Sequence, residues 1–341
     1  MKAIIISDLH MHKWQYGSRL TEQGYNSRLW YLYQALMEVC KYLDQNKTDA
    51  VFITGDIFHT HEKLDVQVLF LTSIAFMEIA KRTKLYLLEG NHDMATADGK
   101  IHALKQFETL ATVIDKPMTF EVAGTPILAH PYTKDVNALQ EFLARAEESS
   151  VALLHQGVAG ANLGSSWVPD ETFGLQMIPS QIEKVYCGHF HTPQAIDKIY
   201  IPGSIAPHTR ADRGARGYLI HNEDSVLFQT LSTPQFIAHE FTPKLFETDQ
   251  THVAGHFIRI TDCPHDIDVK ALRDLFLDAG AESIEVVHND ISMQTPKGSD
   301  VKTGDFSIEP LLQEYEKIQM PARRQEIGKL IRDFRYEVPT L

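Results

Sequence analysis

The sequence predicts an α/β protein, a two-sheet sandwich flanked by helices, followed by a small β-α-β unit and C-terminal helices. Three observations predict it. Apolar runs of strand length recur, such as AIII and AVFIT, and near-continuous apolar strands belong to a sheet buried on both faces. The first three of these alternate with stretches of helical spacing, the pattern of strands joined by helical crossovers. From FEVAG onward short strands crowd together with few helices between them, which predicts a second sheet packed on the first.

The elements follow in order. KAIIISDLH is the first strand. Leu29, Leu32, Tyr33, Leu36, Val39, Cys40 and Leu43 recur at three and four residues, so a helix is expected over Arg28–Leu43. The strand DAVFITGDIFH follows, then a helix over Val66–Lys81, the strand KLYLLEGNHD and a helix near Ile101–Leu110. FEVAG, PILAH, VALLHQG, KVYCGHFH, KIYIPGS, GYLIH and VLFQTL are the crowded strands. Residues 255–288 read strand HFIRI, helix DVKALRDLFLDAG and strand SIEVVH, with Gly280 as the helix stop. The turn-forming stretch NDISMQTPKGSDVKTGD reads as a linker. Beyond it, Ile308, Leu311, Leu312, Tyr315 and Ile318, then Ile327, Leu330, Ile331 and Phe334, mark two amphipathic helices split near Pro321. The expected division is a main domain over 1–238, a small domain over 239–291, a linker over 292–306 and partner-binding helices over 307–341.

Composition narrows the setting. Of 341 residues, 43% are hydrophobic, enough for a sizeable core. No apolar run approaches the roughly 20 residues of a membrane span, and no signal-peptide pattern opens the chain. Cys40, Cys187 and Cys263 form no CxxC pair, which fits a reducing compartment, so a cytoplasmic protein without membrane contact is expected. The net charge of −13 makes a poor general binder of polyanions, so any nucleic-acid contact must rest on local cations or metal ions.

The chemistry sits at strand ends. The first strand ends in Asp8 and His10, the second in Asp56 and His59, the third in Asn91, His92 and Asp93. Later strands end in His155 and in His189 and His191. Parallel strands deliver their carboxyl ends to one crevice. Carboxylate, imidazole and amide oxygen without thiolate make a mixed nitrogen and oxygen site, unlike structural zinc. Asp8, His10, Asp56, Asn91, His155, His189 and His191 exceed what one ion takes from protein, and two ions about 3.5–4 Å apart would use them all, with Asp56 as the bridge. Such a pair suits phosphoryl chemistry, because it lowers the pKa of a bridging water and offsets developing charge.

The motifs DLH, GDIFH, GNHD, LLHQG and GHFH, in this order, resemble those of calcineurin-like metallophosphoesterases. His59 after GDIF and the helix-rich tail make the chain similar to the SbcD-type double-strand-break (meiotic-recombination) nucleases, and to bacteriophage recombination-endonuclease subunits of that kind. The resemblance implies that Asp8, His10, Asp56 and His191 hold one ion, and Asp56, Asn91, His155 and His189 the other. It implies that His92 is a general acid or transition-state stabiliser oriented by Asp93, and that His59 meets the substrate phosphate or helps position the strand. The implied cofactors are two divalent ions, manganese foremost, with magnesium as a partial substitute. The implied activity is a duplex exonuclease and single-strand endonuclease acting on DNA, in the host-cell cytoplasm for a phage-encoded chain. The implied partners are an SbcC-type coiled-coil ABC ATPase, docked by the tail, and a second copy of the chain. A small-molecule phosphodiesterase or phosphatase of the same superfamily is the alternative, and a non-catalytic scaffold the second. THEKLD replaces the Pro-Ser pair usual after GDxFH, which leaves His61 without an assigned role.

Further residues carry weaker signals. Lys13, Trp14, Arg19 and Arg28 mix cations with an aromatic after the first ligand loop, as nucleic-acid contacts do, although Trp14 could equally pack under its own loop. Arg210, Arg213 and Arg216 in HTRADRGAR read either as phosphate contacts or as a solvated turn. His12 reads as a solvated loop residue and His130 as a structural hydrogen bonder. His221, His239, His252, His256, His265 and His288 read as surface scatter.

Overall fold

The computed structural model describes residues 1–289 apart from 62, 97–98 and 163–171. Its first sheet begins with β1 (Ala3–Ile6), β2 (Ala50–Thr54), β3 (Lys84–Leu88) and β4 (Thr112–Ile114), paired in parallel. Helices α1 (Ser27–Gln45) and α2 (Val66–Ala80) join the first three strands. Next come β5 (Met118–Val122), β6 (Thr125–His130), α3 (Val136–Leu143), β7 (Ser150–His155) and the short β8 (Gly157–Val158) and β9 (Thr172–Phe173). Then follow β10 (Ile182–Gly188), β11 (Gln194–Ile196) and β12 (Ile199–Ile201). β13 (Gly217–His221) and β14 (Val226–Thr230) return to the first sheet, β13 lying antiparallel to β1. The strand orders are β14-β13-β1-β2-β3-β4 and β11-β12-β10-β7-β6-β5. The expected two-sheet sandwich with flanking helices is what the chain forms.

Alternation explains why its strands are apolar throughout. Successive side chains on a strand point to opposite faces. Ile4 and Ile6 of β1 join Leu29, Leu32, Leu36 and Val39 of α1, while Ala3 and Ile5 join Ile127, Leu153 and Tyr186 of the second sheet. Asn26 caps α1 by accepting from Leu29 N at 3.1 Å, and Asp65 caps α2 by accepting from Gln67 N at 2.8 Å. The helix expected over Ile101–Leu110 is only a 3-10 turn, Ala103–Phe107. Leu104 and Phe107 are its buried residues, and three-residue spacing suits a 3-10 turn as well as an α-helix. No helix among the described residues is long and apolar enough to cross a membrane.

A third sheet holds β15 (Phe236–Glu240), β16 (Phe257–Cys263) and β17 (Ser283–His288), all parallel, with α4 (Val269–Asp278) between the last two. Its own core contains Val253, Ile258, Ile260, Leu272 and Phe276. β15 pairs with β16 from Phe236 onward, so this sheet takes its first strand from both sides of the expected division at 238/239. The expected linker and tail, with Leu311, Leu312, Tyr315, Ile327, Leu330, Ile331 and Phe334, lie outside the described residues.

Arg28 ties this sheet to the main body. It is 5% exposed, so it is not the solvent-facing nucleic-acid contact its sequence position suggested. Its guanidinium donates to the carbonyls of Tyr16, Pro207 and His208 at 3.2, 3.1 and 2.7 Å. It also faces the rings of Trp14, Phe236 and Phe257 at 5.1–5.4 Å. Burial lowers its pKa to about 10, which leaves it charged at neutral pH. Around it, Arg19 meets Glu282 at 2.8 Å, and Glu285 accepts from Tyr16 Oη at 2.8 Å and pairs with Arg210. Arg28→Met would leave three carbonyls without this donor. Each buried unsatisfied group costs about 1–3 kcal/mol. Urea unfolding should therefore show a loss on the order of 3 kcal/mol; a change near zero would mean that water replaces the guanidinium.

Candidate metal centre

The crevice is built at the carboxyl ends of β1, β2, β3, β7 and β10. The loop after each strand turns at once, and the turning residues are themselves ligand candidates. Asp8, His10, Asp56 and His189 have φ of 49°, 41°, 51° and 96°. Left-handed backbone at non-glycine residues is unfavourable and persists only where the surroundings enforce it. Two glycines make the turns pack. Gly55 has φ of 97°, and a Cβ there would collide with the His155 ring. At Gly90 a Cβ would strike the backbone nitrogen and carboxylate of Asp56.

All seven sequence-predicted ligands converge. Asp8, His10 and His191 form one group, and Asp56, His155 and His189 another, each with candidate ligand atoms within 4.8 Å of one another. Asn91 Oδ1 lies 3.1 Å from His155 Nε2 and 3.0 Å from His189 Nδ1. Asp56 spans the two groups, with Oδ2 3.5 Å from His10 Nε2 and Oδ1 3.3 Å from His155 Nε2. The backbone nitrogen of His189 donates to both oxygens of Asp8 at 3.2 Å.

Hydrogen bonds on the far side of each ring identify the nitrogen that faces the crevice. His155 Nδ1–H donates to Thr54 O at 2.7 Å, so the neutral ring turns a lone pair on Nε2 toward Asn91 and Asp56. His191 Nδ1–H donates to Asp212 Oδ1 at 3.2 Å, and its Nε2 lies 3.1 Å from His10 Nε2. At His155 an acceptor thus faces acceptors. Such a set is stable only with protons or cations between its members, and the mixed donors suit divalent ions. The residues therefore fit a two-metal centre. Burial would lower the His155 pKa, but the Asp56 carboxylate outweighs it and raises the value to about 9. Burial opposes ionisation of Asp56 as well, yet His155 and His10 hold it well below the usual carboxylate range.

His92 and His59 flank the ligands, with ring centroids 4.8 and 5.3 Å from that of His10. His92 Nδ1–H donates to His59 O at 2.9 Å, and its backbone nitrogen donates to Asp56 Oδ1 at 2.9 Å. Burial and the neighbouring His12 and His92 push His59 down to about 4. Asp93 does not orient the His92 ring. Its carboxylate is taken by the backbone nitrogens of Ile57, Phe58 and Gly90 at 3.2, 3.0 and 3.0 Å, so it locks the GDIF turn to the GN turn. Burial and the charge of Asp56 push Asp93 up to about 7.

The basic candidates scatter. Lys13 pairs with Asp65 at 3.1 Å, and Arg19 and Arg210 with Glu282 and Glu285 of the small sheet. Arg213 is exposed. Arg216 is fully buried and donates to His191 O at 2.8 Å, so it is a structural group and not a surface phosphate contact. Trp14 packs between His59 and His208, at 4.4 and 5.5 Å. His12 lies against Trp14, and His61 stacks on His92 at 4.9 Å. His130 is buried and donates to Pro131 O at 2.7 Å. His221 is no surface residue: it is buried on β13, with its Nδ1 2.6 Å from Tyr186 Oη on β10.

Two residues escaped the sequence reading. Asp212 holds His191, and His208 Nε2–H donates to Asp8 O at 2.9 Å. Both lie in the loop past β12, His208 seven and Asp212 eleven residues beyond Ile201, too far from the strand end for its motif to mark them. Burial raises the Asp212 carboxyl, but hydrogen bonds from His191 and Thr209 hold it below the usual range.

Metal must displace the proton on His155. Its pKa is raised, so protonation competes with metal below about pH 9 and the competition fades above it. Manganese affinity should therefore rise by about one log unit per pH unit from pH 6 toward 9 for that one proton. Calorimetry in buffers of different ionisation enthalpy measures both the affinity and the proton released; a pH-independent affinity would contradict this.

Comparison with known proteins agrees with the geometry. The calcineurin-like phosphoesterase family profile matches residues 1–193. A viral protein provisionally named phosphoesterase 078R, of Invertebrate iridescent virus 3, is 27% identical over 187 residues, 51% of this chain and 52% of its own. The SbcD component of the SbcCD nuclease of Bacillus subtilis (strain 168) is 24% identical over 238 residues, 58% of this chain and 59% of its own. The chain thus spans between half and three-fifths of the length of these relatives. A solved archaeal phosphodiesterase, 12% identical, aligns over 68% of this chain and 100% of its own with a TM-score of 0.37. The profile covers more than half of the chain and all seven converging ligands, and the chain belongs to the calcineurin-like phosphoesterase family of metal-dependent phosphoester hydrolases.

Proposed function

We propose that the chain is the nuclease component of a DNA-processing complex, a two-metal phosphodiesterase that cleaves the DNA backbone with an SbcC-type ATPase as partner. The observation that carries this reading is the similarity to the SbcD nuclease component, which runs over 58% of this chain. The small parallel sheet supports it, because β15–β17 and their ion pairs extend the surface beside the ligand loops beyond what a minimal phosphatase needs. On this reading the chain acts as duplex exonuclease and single-strand endonuclease, uses manganese foremost, and works as a dimer in the cytoplasm.

Two divalent cations, when bound, activate water and offset charge on the phosphate. The protein's own groups do the rest. Asp56 draws both ligand sets together, so one phosphate can meet both. His92, fixed by His59 O, keeps Nε2 for proton exchange with the leaving oxygen. His59, neutral near pH 7, offers a hydrogen bond without adding charge. With a chain charge of −13, strand binding rests on the metals and a few cations such as Lys13, Arg19, Arg210 and Arg213.

Labelled duplex and single-stranded DNA, with and without manganese, beside a generic phosphodiester test the reading. Manganese-dependent cleavage of DNA is expected. Turnover of the small ester alone would replace it with the small-molecule hydrolase reading. His92→Ala should lower the rate about 10²–10⁴-fold while both ions still bind, since this reading places the ring outside the ligand set; calorimetry showing loss of an ion would make it a ligand. Deleting residues 306–341 should abolish co-purification with the ATPase and leave cleavage of short single strands intact, because every ligand precedes residue 192. Full-affinity binding by the truncated chain would remove the tail as docking element.

A further inference from the structure

The segment from Pro207 to Arg216 lies beyond the stretch that the family profile matches, yet it grips two metal ligands. His208 donates through Nε2 to the carbonyl of Asp8 at 2.9 Å. Arg216 donates to the carbonyl of His191 at 2.8 Å. Asp212 reaches the His191 ring itself. Its Oδ1 accepts from His191 Nδ1, while its Oδ2 accepts from the backbone nitrogens of His208 and Thr209 at 3.0 and 2.7 Å and from Thr209 Oγ1 at 3.1 Å. Asp212 is 7% exposed, so both oxygens are committed and the carboxylate cannot turn away.

We propose that Asp212 is a positioning residue of the metal centre: it holds His191 in the Nδ1–H tautomer, presents the Nε2 lone pair beside His10, and so sets the affinity of one cation position. The alternative tautomer would place a proton on Nε2, where the cation must sit. The two oxygens divide the work, one fixing the turn and one fixing the ring. Outer partners of ligating imidazoles typically contribute about 10–100-fold to metal affinity.

Asp212→Asn separates these duties. The amide oxygen can still cap the turn at Thr209, and the amide N–H₂ then faces His191 Nδ1. A donor there forces Nδ1 to accept and moves the ring proton to Nε2. Manganese titration of the metal-free full chain should show one position weakened about 10–100-fold and the other unchanged. Long-range ¹H–¹⁵N spectra should show the His191 proton on Nε2, and on Nδ1 in the wild type. The double variant with His191→Ala should bind manganese no more weakly than His191→Ala alone, because groups that act through one another are not additive. A structural role for Asp212 would instead add its loss to that of His191. Wild-type affinity at both positions, equal loss at both, or additive loss in the double variant would each overturn the proposal. Should Asp212→Asn fail to fold, the wild-type spectrum still decides, since a His191 Nδ1 without its proton contradicts it.

Discussion

Ligand nitrogen and oxygen atoms from five strand ends are brought to face one another in this molecule, and much of its architecture serves that end. His155 Nε2 lies against two oxygens and His191 Nε2 against another imidazole nitrogen, at 3.1–3.3 Å. Left alone, such groups would turn toward water. They are held because strands buried on both faces end there and because the turns after them are fixed in left-handed backbone at Asp8, His10, Asp56 and His189. Asp93 binds two of these turns through three backbone N–H groups. The far nitrogens of His155 and His191 are anchored by a carbonyl and a carboxylate. The crevice's mixed nitrogen and oxygen atoms suit divalent cations, as the family's chemistry requires.

Anchoring extends past the sandwich. The segment after β12 reaches back to Asp8 and His191 through His208, Asp212 and Arg216. Arg28 then connects that segment, the first ligand loop and the small sheet. A guanidinium is suited to this, because its planar fork serves several carbonyls while its faces stack on aromatic rings.

Much of this was legible in the sequence, for a physical reason. Strand identity is written in short apolar runs, and ligands at strand ends stand beside them in the chain, so DLH, GDIFH, GNHD, LLHQG and GHFH announce both the fold and the ligand set. The first two helix starts were legible in the apolar spacing, expected at Arg28 and Val66 and found at Ser27 and Val66. What a residue touches across the fold was not legible. Arg28 and Arg216 look like surface cations in the sequence and are buried; His221 looks like scatter and bonds Tyr186 between the sheets; Asp93 sits beside His92 yet serves Ile57, Phe58 and Gly90. Asp212 stands amid arginines, 21 residues from the histidine it holds. The sequence by itself determined the main strands, the first two helices, the crevice and its donor atoms, because these follow from local spacing. Only the tertiary structure decided which nitrogen faces the crevice and which carboxylate orients it, because a partner far along the chain is chosen by packing, and spacing carries no record of it.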